Sequence, residues 1–215
     1  MTVGIPGWLQ GTSGWGIPLT YLQFMRDSLL CDDLRVLTLH GPIYTDLDLL
    51  ILPGGADVNP ARYGDPPSFY TDKPDLIKEY FDVHILPEYI NRGTPVFGIC
   101  RGAQTLAVHF GCKLVQDMDH ETNPLEDPYK GVHQILVIEG NKKVKVNSRH
   151  HQSIYKYSTE KTPVKLLAVH STQSHHIEAI RVQGYKIAAV QYHPEDLAES
   201  TGRDYAMSLI KSITA

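Results

Sequence analysis

Cysteine is scarce in this chain: three residues out of 215, at positions 31, 100 and 112. An odd, sparse set is no disulfide framework, and without a Cys-x-x-Cys pair it offers neither a zinc site nor a dithiol redox centre. A reducing compartment, the cytoplasm, is therefore expected. Long apolar runs are absent as well. Nothing approaches the ~18 residues of a membrane span, and residues 1–6 lack the basic and apolar regions of a secretory signal. No membrane partner is expected. Nor is one sign of charge in excess: 20 Lys and Arg against 24 Asp and Glu leave a net charge of −4. That balance argues against an electrostatically driven nucleic-acid binder. No repeat, low-complexity tract or linker interrupts the chain, so one domain over residues 1–215 is expected. What remains is a composition of 42% hydrophobic and 20% charged residues, which fits a well-cored globular fold and neither a disordered nor a fibrous one.

The first half alternates strand-like and helix-like stretches. Residues 2–5 form a short apolar run ended by Pro6, and the glycine-rich stretch 7–16 reads as loop. From Pro18 onward, Leu19, Leu22, Met25 and Leu29 recur at helical spacing. Residues 34–39 and 47–52 read as strands, the second almost wholly apolar, as befits a parallel strand covered on both faces. Residues 74–89 read as a helix with Leu76, Tyr80, Val83 and Leu86 turned inward. Residues 95–99 read as a buried strand and 101–110 as a helix. After residue 132 the pattern turns strand-rich (132–138, 144–146, 164–169, 177–182 and 187–191), with Gly184 suited to a hairpin, before a last helix over about 204–213. The expected fold is α/β: three layers around a mainly parallel, doubly wound sheet.

The most informative stretch is Val96-Phe97-Gly98-Ile99-Cys100-Arg101-Gly102-Ala103-Gln104. A buried strand runs through Gly-x-Cys-x-Gly straight into a helix, the cysteine version of a nucleophile elbow. Small neighbours are needed because the strained turn brings strand and helix close together. The turn presents the Cys100 sulfur at the carboxyl end of the sheet, and the helix N-terminus favours its thiolate. A lone cysteine at such a junction is ordinarily a packing residue; the paired glycines argue for the nucleophile. A nucleophile of this kind needs a base and a group to orient the base. Gln191-Tyr192-His193-Pro194-Glu195 supplies both, since residues two apart on an extended chain point the same way. After a central strand, Leu52-Pro53-Gly54-Gly55-Ala56-Asp57 can turn backbone N–H groups toward a ligand. With the N–H of Arg101 it suits an oxyanion hole.

These three motifs, in this order, resemble the class I glutamine amidotransferase superfamily, a flavodoxin-like fold. Together with Val146-Asn147-Ser148-Arg149-His150-His151-Gln152, Pro60 and Tyr63, they look most like the γ-glutamyl hydrolase branch, peptidase family C26, which includes γ-glutamyl-γ-aminobutyrate hydrolase. The resemblance implies a catalytic triad of Cys100, His193 and Glu195, with the Gly55 and Arg101 N–H groups as oxyanion hole. It also implies a γ-glutamyl pocket lined by Gln104, His150 and Gln152. The implied activity is hydrolysis of a γ-glutamyl amide through a thioester on Cys100, with no cofactor. Two alternatives stay open: a glutaminase subunit delivering ammonia to a separate synthase, and a catalytically silent binding scaffold. The chain departs from the family in carrying Lys78-Glu79 and Phe81-Asp82 where Arg-Asp and Phe-Glu are typical, and Tyr192 where Trp is common. The loop over residues 7–16 has no counterpart in the resemblance.

Eleven histidines raise a metal hypothesis at His150-His151 and His175-His176. Adjacent side chains do not readily share one ion, and zinc needs three or four ligands from spaced positions, so no metal is expected. His150 has a better place in the pocket, and His175-His176 reads as solvated. Cys31 and Cys112 read as packing residues.

Overall fold

The computed structural model describes residues 1–10, 14–118, 130–197 and 200–215. Its strands in chain order are β1 (Thr2–Pro6), β2 (Trp8–Gln10), β3 (Gly14–Gly16), β4 (Asp33–Leu37), β5 (Leu49–Leu52), β6 (Val96–Ile99), β7 (Leu114–Val115), β8 (Lys130–Val137), β9 (Lys142–Arg149), β10 (Ser153–Ile154), β11 (Val164–His170), β12 (Ile177–Val182) and β13 (Ile187–Val190). The helices are α1 (Leu19–Ser28), α2 (Leu76–Tyr80), α3 (Leu86–Asn91), α4 (Arg101–His109) and α5 (Thr201–Thr214), with a π turn, Phe81–Ile85, joining α2 to α3.

Nine strands form the central sheet in the order β4-β1-β5-β6-β13-β12-β11-β8-β9. The five from β4 to β13 run parallel, and the rest pair antiparallel. The sheet is therefore mixed, with the parallel half built by the strand–helix alternation of the first hundred residues. Period-two alternation sends side chains to opposite faces. On β5, Leu49 and Ile51 join a core with Phe24 and Met25 of α1 and Leu209, Ile210 and Ile213 of α5. Leu50 and Leu52 join a second core with Leu86 and Tyr89 of α3 and Leu106 of α4. These are the three layers. Each such fully buried aliphatic side chain contributes about 1.5–3 kcal/mol over its exposed state.

The elements deviate from the sequence expectation at several points, among them the unexpected pairing of β7 with β10. In the stretch 7–16, expected as loop, β2 pairs antiparallel with β3, and residues 11–13 lie outside the described residues. The strand expected at 144–146 runs over 142–149, because its Lys residues face solvent while Val144, Val146 and Ser148 face inward. The helix expected at 74–89 is interrupted by the π turn, whose wider winding accommodates Pro87, a residue with no N–H to donate. Its inward face differs in part: Leu86 is buried as expected, but Leu76, Tyr80 and Val83 are exposed, and Lys78, Phe81, Asp82 and Ile85 are buried. The hairpin at Gly184 is present, with φ at 81°.

Candidate active site

The site begins at the end of β6. Cys100 has φ 53° and ψ −109°, a conformation that L side chains rarely adopt. Its N–H donates to Val190 O across to β13 at 2.9 Å, and its carbonyl accepts from Ala103 and Gln104 N–H as α4 begins. The flanking glycines are sterically required. A Cβ on Gly102 would lie 2.2 Å from the Leu52 carbonyl oxygen, and one on Gly98 would lie 2.7 Å from the Gly102 backbone. Both clashes are with backbone, which has nowhere to go. The N–H of Arg101, first in α4, has no carbonyl one helical turn back to bond.

His193 and Glu195 follow β13. The expected extended geometry is corrected here: Pro194–Asp196 is a 3-10 turn. That turn still brings Glu195 Oε1 within 2.7 Å of His193 Nδ1. Asn147 grips the His193 backbone at both ends, accepting from its N–H at 2.8 Å and donating to its carbonyl at 2.9 Å. Burial works to lower the basicity of His193, but the neighbouring Cys100 and the Glu195 carboxylate outweigh it and push its pKa up to about 10. His193 therefore holds its proton at neutral pH. Both residues crowd Gly54: a Cβ there would sit 3.0 Å from His193 Cε1 and 3.5 Å from Cys100 Cβ. Gly55 is exposed beside them, and its N–H meets no acceptor among the described residues.

Gln104, His150 and Gln152 come together below the elbow. Gln104 Nε2 donates to Gln152 O at 3.1 Å and to Gln191 Oε1 at 3.3 Å, while His150 Nδ1 lies 3.0 Å from the same Gln152 carbonyl. Burial drives the His150 pKa down to about 4, so this imidazole is neutral. Neither Nε2 nor Oε1 of the buried Gln152 amide finds a partner among the described residues. Unbonded buried amides are costly, and a polar ligand would satisfy this one.

Several side chains of the site have contacts that the sequence motifs do not indicate. Gln191, oriented by Gln104, turns its Nε2 to within 3.7 Å of Cys100 Sγ. Arg101 directs its side chain away from the sulfur, to Glu79 at 2.6 Å and Asp82 at 2.7 Å. The two acids that depart from the family pattern are thus the ones that hold the elbow arginine. His151 Nε2 lies 3.1 Å from Asp57 Oδ1, and that hydrogen bond, against burial, raises the His151 pKa. Tyr192, in the place where Trp is common, is fully buried and donates to Gly202 O at 2.8 Å. The expectation of a solvated His176 is corrected: it is completely buried, with Nδ1 3.2 Å from Ser153 Oγ.

A half-parallel sheet flanked by helices, with a left-handed cysteine closing a strand against a helix N-terminus, defines a glutamine amidotransferase-like α/β protein. The Peptidase C26 family model matches residues 38–195, and the chain belongs to that family. Among its relatives, glutamine amidotransferase-like protein YvdE of Lactococcus lactis is 31% identical over 166 residues, 70% of this chain and 67% of that one. Gamma-glutamyl-gamma-aminobutyrate hydrolase PuuD of Escherichia coli is 28% identical over 187 residues, 76% of this chain and 68% of that one. The fold is shared with the glutaminase domain of Trypanosoma brucei CTPS, solved with bound acivicin. That match has a TM-score of 0.66 and 16% identity, over 99% of this chain and 93% of that one. No helix among the described residues is long and apolar enough to cross a membrane.

Proposed function

We propose that this protein hydrolyses a γ-glutamyl amide through a γ-glutamyl thioester on Cys100, in a single domain spanning residues 1–215. The observation that carries the reading is the strained Cys100, φ 53°, beside a His193 that Glu195 orients at 2.7 Å. Strain of this kind costs about 1–3 kcal/mol and persists where surrounding structure enforces it, which is characteristic of nucleophiles. The Cys100 thiolate attacks the side-chain carbonyl carbon of the γ-glutamyl group. The N–H groups of Gly55 and Arg101 receive the charge on the carbonyl oxygen. As the carbon–nitrogen bond breaks, protonated His193 gives its proton to the departing amine. Neutral His193 then takes a proton from water, whose oxygen attacks the thioester; glutamate leaves, and the thiolate–imidazolium pair is restored. Glu195 holds the ring in one orientation throughout.

The acyl half of the substrate is the recognised half. The unbonded Gln152 amide, with Gln104 and His150 beside it, supplies donors and acceptors for the α-amino and α-carboxylate groups. PuuD, by its name, is a hydrolase of a γ-glutamyl amine, and that likeness supports the same reaction class here. The chemistry needs a reduced thiol, which suits the cytoplasm. The test is turnover by isolated protein of glutamine and of a panel of γ-glutamyl amines, beside glutaryl amides, which lack the α-amino group. A site built for that group rejects the glutaryl analogues by ~10⁴-fold; equal turnover of both series contradicts the pocket assignment.

A further inference from the structure

The loop that would supply half of the oxyanion hole is held by side chains from β2, α1 and α2. Gly54 is gripped at both ends of its backbone. Its N–H donates to the Tyr21 hydroxyl of α1 at 2.9 Å, and its carbonyl accepts from Lys78 Nζ of α2. Both gripping side chains rest on one indole. Lys78 Nζ lies 3.9 Å from the Trp8 ring centroid, and the Tyr21 ring meets the same Trp8 edge-to-face at 5.8 Å. Trp8, Tyr21 and Lys78 are all buried. Lys78 also fills the space beside the next residue, since a Cβ on Gly55 would come within 2.7 Å of its Nζ.

A trans peptide sets its C=O and N–H on opposite sides. While Lys78 keeps the Gly54 carbonyl, the Gly55 N–H must face away from Lys78, and a flip of this peptide would break the Lys78 bond. Gly54 itself lies against the site, since a Cβ there would meet His193 Cε1 and Cys100 Cβ. The N-terminal strand pair thereby acquires a role: β2 presents Trp8, the platform for both arms.

We propose that Trp8, Tyr21 and Lys78 are positioning residues that lock the Gly54–Gly55 peptide with the Gly55 N–H turned to the substrate, so that the oxyanion site stands formed in the isolated chain. The proposal rests on the reading of Cys100 as an acyl-accepting nucleophile. It deepens that reading by favouring a self-sufficient hydrolase over a glutaminase whose hole must be assembled by a synthase. Lys78 touches no reacting atom; it acts through the peptide it holds.

The test compares wild type with Lys78→Met, which keeps the apolar stem over Trp8. The probe is γ-glutamyl-p-nitroanilide. Turnover is measured beside the rate of Cys100 alkylation by iodoacetamide, a reaction that needs the thiolate but no oxyanion hole. Lys78→Met is expected to lower kcat toward the ~10²-fold that loss of one oxyanion donor costs, with KM and alkylation unchanged. An unchanged kcat, or a fall in turnover and alkylation together, overturns the clamp. Should wild type cleave no γ-glutamyl amide, the proposed function fails. The clamp is then decided by nuclear magnetic resonance of the Gly54 carbonyl and Gly55 amide: resonances that shift in Lys78→Met uphold it, and resonances that stay put overturn it.

Discussion

Replacing Cys100 by glycine and, separately, by alanine isolates the strain in the elbow. Both changes delete the sulfur and its interaction with His193 equally, so their difference reports the backbone. With φ at 53° and ψ at −109°, alanine keeps the Cβ that makes this conformation costly, about 1–3 kcal/mol. Glycine is free of that cost but gives back about 0.5–1 kcal/mol through its greater unfolded-chain entropy. With mid-range values, about 2 less about 0.75 kcal/mol, Cys100→Gly is expected to be the more stable by roughly 1 kcal/mol, or ~2–4 °C in Tm for a chain of this size. Urea denaturation and calorimetry at one pH measure it. Ala103→Gly, within α4, serves as control and should move the other way, losing roughly 1 kcal/mol. A Cys100→Ala protein as stable as Cys100→Gly, or more stable, refutes the claim that the elbow stores strain.

Other outcomes follow from the same geometry. Gly102→Ala places a Cβ 2.2 Å from the Leu52 carbonyl and should cost at least the ~1–3 kcal/mol of an overpacked core, read as a fall in the urea midpoint. Cys100→Ala should abolish turnover, His193→Ala should cost nearly as much, and Glu195→Gln should cost less, because the imidazole keeps a partner; steady-state kinetics at saturating substrate ranks them. For His193, whose folded pKa of about 10 lies above its usual 6.5, the pairing contributes stability below pH 6.5 that is lost as pH rises through 10. Wild type should therefore lose stability relative to His193→Gln over that window. Lys78 runs the opposite way: burial, with Arg101 adding to it, lowers its pKa from 10.5 to about 7. The unfolded chain then binds the extra proton between those values, and wild type should gain stability relative to Lys78→Met as pH rises from 7 to 10.5. Melting temperatures of each pair across the pH range check both signs.

The elbow was legible because its demand is steric and local: strand, Gly98, Cys100, Gly102 and helix stand within a few residues. The His193–Glu195 contact was also legible, though through a 3-10 turn and not the extended chain that the spacing suggested. The inward face of the α2–α3 segment was not. Apolar periodicity pointed to Leu76, Tyr80, Val83 and Leu86; of these Leu86 alone is buried, and the buried face also carries Lys78 and Asp82, which serve the Gly54 carbonyl and Arg101. A polar set that is buried because it has partners elsewhere leaves no hydrophobic signature. Tyr21 and Lys78 were invisible for a related reason: they reach Gly54 from 33 and 24 residues away. Such contacts exist only once the sheet has brought α1 and α2 to the same loop.

The central claim is that Cys100 is acylated. The direct measurement is intact-protein mass spectrometry after acid quench of the reaction with γ-glutamyl-p-nitroanilide, followed by peptide mapping. A mass increase of one glutamyl group, borne by the peptide containing Cys100, absent in Cys100→Ala and removed by hydroxylamine, is the predicted result. Release of nitroaniline by the Cys100→Ala protein at the wild-type rate, or the glutamyl group found on any other residue, would contradict it.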